Sequence, residues 1–327
     1  MEKNQSFTGW PIRLVVAAVF MWRAGELLAV SENDLKTRRV ITENMEVSYI
    51  TARSGKRFEG DKTGGNLFYE GQIFKNIDWI AWNWGNTDYW LDVPIRLGVR
   101  QLTDASRPVR TPSYNPGIRL YIAPKGQAGD AASDDVSKKG LWYSSVGIHH
   151  YSNGQDGQST LPDGSVNTSS GSFNTNYAEA ALHVRKNMGP FNWARLALRQ
   201  HFYGTFEPFE HDQYEKRHLS LEARTRECSF FPNLPTHLKF TGIYGWGYHY
   251  VVKNDTFPEQ NIKAGARDKL NLTAELIARP NFGEALSWKK WKDLALYLRY
   301  DYGYDYYNIN FQHRINRLQI GVVTTNF

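Results

Sequence analysis

Hydrophobic and polar positions alternate along most of the chain from about residue 41 onward. In 218–226, Leu219, Leu221, Ala223 and Thr225 share one parity, and Ser220, Glu222, Arg224 and Arg226 the other. In 270–279, Leu270, Leu272, Ala274, Leu276 and Ala278 oppose Asn271, Thr273, Glu275 and Arg279, with Ile277 an apolar exception. In 194–202, Ala194, Leu196, Leu198 and Phe202 oppose Arg195, Arg199 and His201, with Gln200 out of pattern. In 294–302, Leu294, Leu296, Leu298, Tyr300 and Tyr302 share a parity, while Ala295 and Tyr297 join Arg299 and Asp301 on the other. A two-residue period belongs to strands whose two faces meet different surroundings. Turn signals such as Lys125-Gly126, Asn187 to Pro190, Asn233 to Pro235 and Pro280 to Gly283 separate these windows. Together they predict strands near 41–54, 65–75, 90–101, 117–124, 141–152, 174–186, 192–203, 216–227, 236–247, 270–279, 293–304 and 317–327.

One face is repeatedly aliphatic, with aromatic residues toward the strand ends, and the other carries charges of both signs. A soluble sandwich also alternates. Arg and Glu recur on one face in so many strands that an all-β fold, a closed antiparallel transmembrane β-barrel of about 12 strands with a polar interior, fits better. Composition agrees. Mean hydropathy is −0.56, and no stretch approaches the ~18 apolar residues of a spanning helix. A helical membrane protein is excluded, whereas a barrel's alternation averages to a polar composition. Hydrophobic residues make up 41%, enough to argue against wholesale disorder. The 14% aromatic content, led by Tyr and Trp, suits side chains between apolar and wet phases. Trp79, Trp82, Trp84 and Trp90 read as girdle or extracellular-loop residues.

Net charge is +6. Lys and Arg are scattered among apolar residues rather than gathered in a stripe, so no nucleic-acid surface is read; attraction to anionic lipid head groups is. The single cysteine, Cys228, excludes an intrachain disulfide and a multi-cysteine zinc site. At the N-terminus, Lys3 and Arg13 precede the apolar run Leu14–Trp22, and small residues follow. Residues 1–30 therefore read as a signal peptide, or as an amphipathic N-terminal helix, and 31–327 as one barrel domain.

The chemistry gathers at Ile148-His149-His150-Tyr151-Ser152-Asn153-Gly154. A regular strand puts Trp142, Val146, Ile148, His150 and Ser152 on one face. In the next strand Asn174 and Asn176 share the parity of Ala178, Ala180 and Leu182. A His, a Ser and an Asn thus converge on the lipid-facing surface, where polar groups are costly without a use. Ser152 is the candidate nucleophile, His150 the base and Asn174 the residue that orients the imidazole. Asn-Gly is also a strong hairpin-turn signal, the bland reading of this segment. His149 is expected to point inward, and His201 and His218 to be structural. Asp301, Arg299, Glu222 and Arg224 are expected in an interior polar network.

His150-x-Ser152-Asn153-Gly154 followed by Ser170-Gly171-Ser172-Phe173-Asn174 resembles the signature of the outer membrane phospholipase A family. Ser106-Arg107-Pro108-Val109-Arg110 with Tyr114 and Pro116 is similar as well, as is the stretch from Tyr307 to Val322. The likeness spans roughly 90–327. It implies a twelve-stranded barrel in a Gram-negative outer membrane with Ser152, His150 and Asn174 as its outer-surface site, hydrolysing glycerophospholipid esters as a phospholipase A1/A2. It also implies calcium at a homodimer interface, held by the Ser170 side chain, the Gln155 carbonyl and the carbonyl of Ser106 of the partner subunit. Oxygen ligands of this kind suit calcium. Gln155 replaces the family's usual Arg, and the stretch between Gly154 and Ser170 is longer, with Asp156 and Asp163 in it. Two other functions fit the same pattern: a non-enzymatic pore or scaffold, from the charged interior, and a lipid A deacylase-like esterase, from the surface His/Ser pair.

Overall fold

The computed structural model describes residues 47–54, 67–102, 109–125, 140–159, 161–162, 167, 170–202, 214–231, 234–246, 250–252, 262–264, 269–279, 294–305, 307 and 314–324. The proposed signal segment 1–30, Ser106 and Asp163 lie outside the described residues. The strands are β1 (Ser48–Ser54), β2 (Leu67–Trp84), β3 (Thr87–Leu102), β4 (Val109–Pro124), β5 (Leu141–Ser152), β6 (Asn174–Met188), β7 (Phe191–Phe202), β8 (Arg217–Thr225), β9 (Cys228–Phe231), β10 (Leu234–Trp246), β11 (Tyr250–Val252), β12 (Ile262–Ala264), β13 (Lys269–Ala278), β14 (Leu294–Tyr304) and β15 (Arg314–Thr324).

Twelve of these close an antiparallel barrel in the order β1 to β8, β10, β13, β14, β15, with β15 returning to β1. Short β9 extends β10 at one end, and β11 and β12 form a separate hairpin in the β10–β13 connection. Closure pairs every barrel strand on both sides, the condition a sheet must meet to sit in hydrocarbon. The outer surface is an apolar belt: Ile73, Ile118, Ile148, Leu196, Leu221, Leu272, Leu296 and Ile320 are all exposed.

The interior is polar and filled. Arg100 Nε donates to Glu70 Oε2 (2.5 Å) and its Nη1 to Asp305 Oδ2 (2.6 Å). Arg195 joins Glu179 and Glu222, both at 2.5 Å, and Lys239 bridges Glu222 and Glu275. Arg299 and Arg317 both bind Asp301. A cavity of about 280 Å³ remains among these groups.

The start of β1, the end of β15 and the two-residue turns Gly85-Asn86 and Gly189-Pro190 lie at one end of the barrel. There apolar residues pack inside the barrel: Trp90, Tyr121, Ala123, Leu141 and Tyr143 on one side, and Tyr49, Ala295, Tyr297 and Val323 on the other. This explains the apolar residues found on the polar parity. Ala295 and Tyr297 build the plug, and Ile277 packs against it. It also corrects the reading of Trp90, which shares the inward parity of Asp92 and is 4% exposed inside the plug. Trp82 stacks on Tyr89 across the β2–β3 hairpin (5.3 Å) and Trp84 is exposed at its tip, as interfacial girdle residues do.

Candidate active site

The site lies at the opposite end of the barrel, where β5 ends and β6 begins. Strand alternation decides which side chains face out. Ile148 is 61% exposed toward the lipid side, while its neighbour His149 is 4% exposed in the lumen. The His149 ring stacks on Tyr177 (4.8 Å, 10° between planes), whose hydroxyl accepts from Asn115 Nδ2 at 3.0 Å. The ring lies flat against two glycine backbones. A Cβ on Gly117 would come within 2.3 Å of His149 Nδ1, and one on Gly147 within 3.2 Å of Nε2. These glycines let the imidazole seat between strands, and the alternation of β5 then turns His150 and Ser152 outward.

Facing them on β6, the register pairs His150 with Asn176 and Ser152 with Asn174. His150 Nδ1 lies 2.9 Å from Asn176 Oδ1. The amide oxygen can only accept, so the proton of a neutral ring sits on Nδ1 and Nε2 keeps its lone pair. Asn174, the residue sequence pattern selects to orient the imidazole, lies across from Ser152, two residues nearer the loop. Asn174 and Asn176 have the same parity, so alternation alone does not separate them; the register does, and it is set where the loop closes.

That closure is built by Asn153, buried just after Ser152. Its N–H donates to Phe173 O (3.0 Å), its Nδ2 to Gly171 O (2.8 Å), and its Oδ1 accepts from Phe173 N (2.9 Å) and Gln155 N (3.2 Å). Asn153-Gly154, with Gly154 at φ 65°, is therefore a local turn, but it opens a long connection rather than a tight hairpin. A parallel bridge joins Gly157 to Gly171, and Ser172 N donates to Gly157 O (2.8 Å). Beyond this bridge the Asn167 N–H donates to Ser159 O (2.8 Å).

The bridge bears on a metal. It lays the backbone of Gln155 to Gly157 alongside Ser170 and Gly171, so closely that a Cβ on Gly157 would be 2.3 Å from Ser170 O and 3.5 Å from its Oγ. Asn167 Nδ2 donates to Ser170 Oγ (3.2 Å), and the Ser170 backbone N–H donates to Asn167 Oδ1 (3.2 Å). Ser170 is exposed, as is Asp156. A steadied hydroxyl beside backbone carbonyls offers the oxygen donors that a hard cation such as calcium takes. The third implied ligand, Ser106, falls outside the described residues.

Behind the site the lumen mouth is packed. Phe173 meets Tyr151 and Tyr214 edge-on (5.2 and 5.4 Å), and Tyr214 meets His201. His201 Nδ1 lies 2.9 Å from Thr175 Oγ1. Its ring lies 5.1 Å from that of His218, and both rings are buried. Glu215 beside them is fully buried and paired with Lys269 Nζ at 2.9 Å. Burial alone would raise the Glu215 carboxyl, but Lys269 and His218 outweigh it and hold it down at about 2. Sequence pattern misses Glu215 and Lys269, since single charges at strand ends carry no signal.

No family model matches the chain, and no curated protein matches it by sequence. Solved structures do match in fold. Outer membrane phospholipase A from Escherichia coli superimposes with a TM-score of 0.55 at 13% identity, over 91% of this chain and 99% of that one. The calcium-bound dimer of the Salmonella typhi outer membrane phospholipase gives 0.52 at 13% identity, over 89% and 98%. The barrel is thus that of outer-membrane proteins.

Proposed function

We propose that this chain is a phospholipase A of the outer membrane, hydrolysing acyl esters of glycerophospholipids at a serine–histidine–asparagine site on the lipid-facing surface. The observation that carries this reading is the His150–Asn176 hydrogen bond on the outer face, with Ser152 two residues along on that face. Residues two apart in a strand are about 6.5–7 Å apart at Cα, a span that a histidine and a serine side chain bridge. A buried or lipid-facing imidazole needs no amide partner for packing. Orienting a base is what such a partner is for.

With the ring proton held on Nδ1 by the Asn176 acceptor, His150 Nε2 takes the Ser152 proton as Oγ attacks the ester carbonyl. The imidazolium then protonates the departing glycerol oxygen, and the acyl-enzyme is released by water through the same base. Asn176 is uncharged, so it orients the ring without adding a full charge to an apolar face. Calcium would be held by the Ser170 hydroxyl and the Gln155 carbonyl, with Ser106 of the partner subunit in a homodimer. Bound there, it supplies Lewis-acid polarisation of the reacting oxygen. The pore reading has less support: salt bridges and the apolar clusters at the turn end occupy the interior.

The test is fatty-acid release from phospholipid–detergent mixed micelles, with calcium or with EDTA, for wild type and Ser152→Ala. Calcium-dependent release that disappears in Ser152→Ala is expected, the variant still migrating as a heat-modifiable barrel. Equal release by both proteins would sink the reading. Release of acyl chains from lipopolysaccharide but not from phospholipid would redirect it to a lipid A deacylase.

A further inference from the structure

Gln200 interrupts the apolar row of β7, which runs Ala194, Leu196, Leu198 and Phe202 on the lipid-facing side. The site described above leaves it without a role, and an amide among lipid-facing leucines is costly unless it is used. Its use is to hold an arginine. Gln200 Nε2 donates to His201 O (2.8 Å) and Lys216 O (3.2 Å), and its Oε1 accepts from Arg217 Nε (2.9 Å). Arg217, at the start of β8, faces outward: His218 beside it is 2% exposed in the lumen, and Leu219 is 41% exposed on the lipid side. Among the described residues no carboxylate pairs with Arg217, so both Nη groups of an oriented, exposed guanidinium are open to a ligand. Trp246 stands across from it on β10 and stacks with Tyr244 (5.8 Å), placing Arg217 at the level where Trp and Tyr mark the membrane–water boundary.

We infer that Arg217 receives the phosphate of the glycerophospholipid whose ester is cleaved at Ser152; the inference rests on the phospholipase reading. The register gives the spacing. Asn176 pairs with His150 on β5 and with Phe202 on β7, and Gln200 pairs with Arg217. Arg217 thus lies three strands over and two residues along from His150, about 16 Å between Cα atoms. Its Nε bond to Gln200 leans the side chain over β7, toward the site. Two outward side chains approaching from the ends of that interval leave a gap that the glycerol between ester and phosphate fills. A planar guanidinium suits a phosphodiester, giving two parallel N–H···O bonds where a lysine gives a point charge. Snorkelling alone would account for a charged head at this depth. It would not account for an amide placed on the lipid face to fix the direction of that head. Arg217 is a substrate-binding residue in this reading, and Gln200 its positioning residue.

Two ester-free lipids, hexadecylphosphocholine and hexadecylglycerol, test this as inhibitors of phosphatidylcholine hydrolysis in mixed micelles with calcium. They share a chain, and the first alone carries phosphate. In Arg217→Gln the inhibition constant of hexadecylphosphocholine and the KM for phosphatidylcholine should each rise about tenfold or more, the weight of a charge-assisted hydrogen bond. The ratio of the two inhibition constants should shift by that factor. Arg217→Lys should lose less than Arg217→Gln. Gln200→Leu, which restores the apolar row, should give a smaller shift of the same sign, and its ratio decides in the same way if Arg217→Gln does not fold. An unchanged ratio in Arg217→Gln overturns the inference, as does equal weakening of both lipids, which would mean that Arg217 only shapes the surface. Inorganic phosphate that inhibits wild type as strongly as hexadecylphosphocholine overturns the assignment to a lipid head group. An inactive Ser152→Ala beside an unchanged ratio in Arg217→Gln removes this role and leaves the phospholipase reading standing. A wild type that releases no fatty acid, or a fully active Ser152→Ala, removes both.

Discussion

At the scale of single residues, the site depends on two adjacent histidines that face opposite ways. His149 is wedged against the Gly117 and Gly147 backbones and stacked on Tyr177, so β5 has one rotational setting, and in it His150 and Ser152 face the lipid. Gly117→Ala should therefore harm the site through the lumen. Its Cβ would overlap the His149 ring, a clash of the kind that costs about 1–3 kcal/mol, and the midpoint of urea unfolding in detergent should fall accordingly. An unchanged midpoint would mean that the ring relocates freely. Asn176 offers a cleaner contrast. Asn176→Ala removes the acceptor that fixes the tautomer and should lower kcat by roughly 10²-fold or more, whereas Asn176→Asp keeps an acceptor and should retain more activity than the alanine variant. Equal kcat in the two would detach Asn176 from the base. Parity read from sequence brings His150, Ser152 and both asparagines to one surface. It has no means of choosing between Asn174 and Asn176, because a period of two is blind to a register shift of two.

At the scale of elements, the long connection after β5 is anchored at its base by Asn153, alongside the Gly157–Gly171 bridge. Asn153 makes two side-chain bonds to the returning strand, to Gly171 O and from Phe173 N. Asn153→Ala should release the connection while the barrel persists: trypsin is unsuited to this Lys- and Arg-free stretch, so proteinase K should cut within 153–173 far sooner than in wild type. Each lost buried bond costs about 1–3 kcal/mol where a partner is left unsatisfied. A digestion pattern identical to wild type would assign the anchoring to the Gly157–Gly171 bridge instead. Strands were legible to a similar depth. Windows such as 141–152, 174–186 and 293–304 match β5, β6 and β14 closely, since their inside and outside environments differ sharply. The second half of β2 was not legible. A register shift between Asp78 and Ile80 breaks the alternation there, and a bulge with four tryptophans around it looks like a loop. Short β9, β11 and β12 have too few residues to show any period.

At the scale of the whole molecule, charges buried inside the barrel make stability depend on pH. At the loop end Glu215 and Asp305 sit just outside β8 and β14, both buried. Burial opposes ionisation of Asp305, but Arg100 and Arg317 outweigh it and hold its carboxyl below the usual range; Lys269 and His218 do the same for Glu215, down to about 2 from 4.5. Groups whose folded values lie below their unfolded ones bind fewer protons folded than unfolded, so stability rises with pH across the interval between them. The contribution is complete above the unfolded value near 4.5 and is lost as pH falls toward 2. A carboxyl displaced that far is worth about 3 kcal/mol. The urea midpoint of the detergent-folded barrel should thus be nearly level above about pH 5, and fall steadily below it. Glu215→Gln should lower the midpoint at pH 7, because it leaves Lys269 buried opposite an amide, and should flatten the acid decline by the share Glu215 contributes. A midpoint level down to pH 2 in wild type would mean that the buried carboxylates are not what ties the mouth of the barrel together. A decline that Glu215→Gln leaves untouched would shift that role to Asp305 and its two arginines.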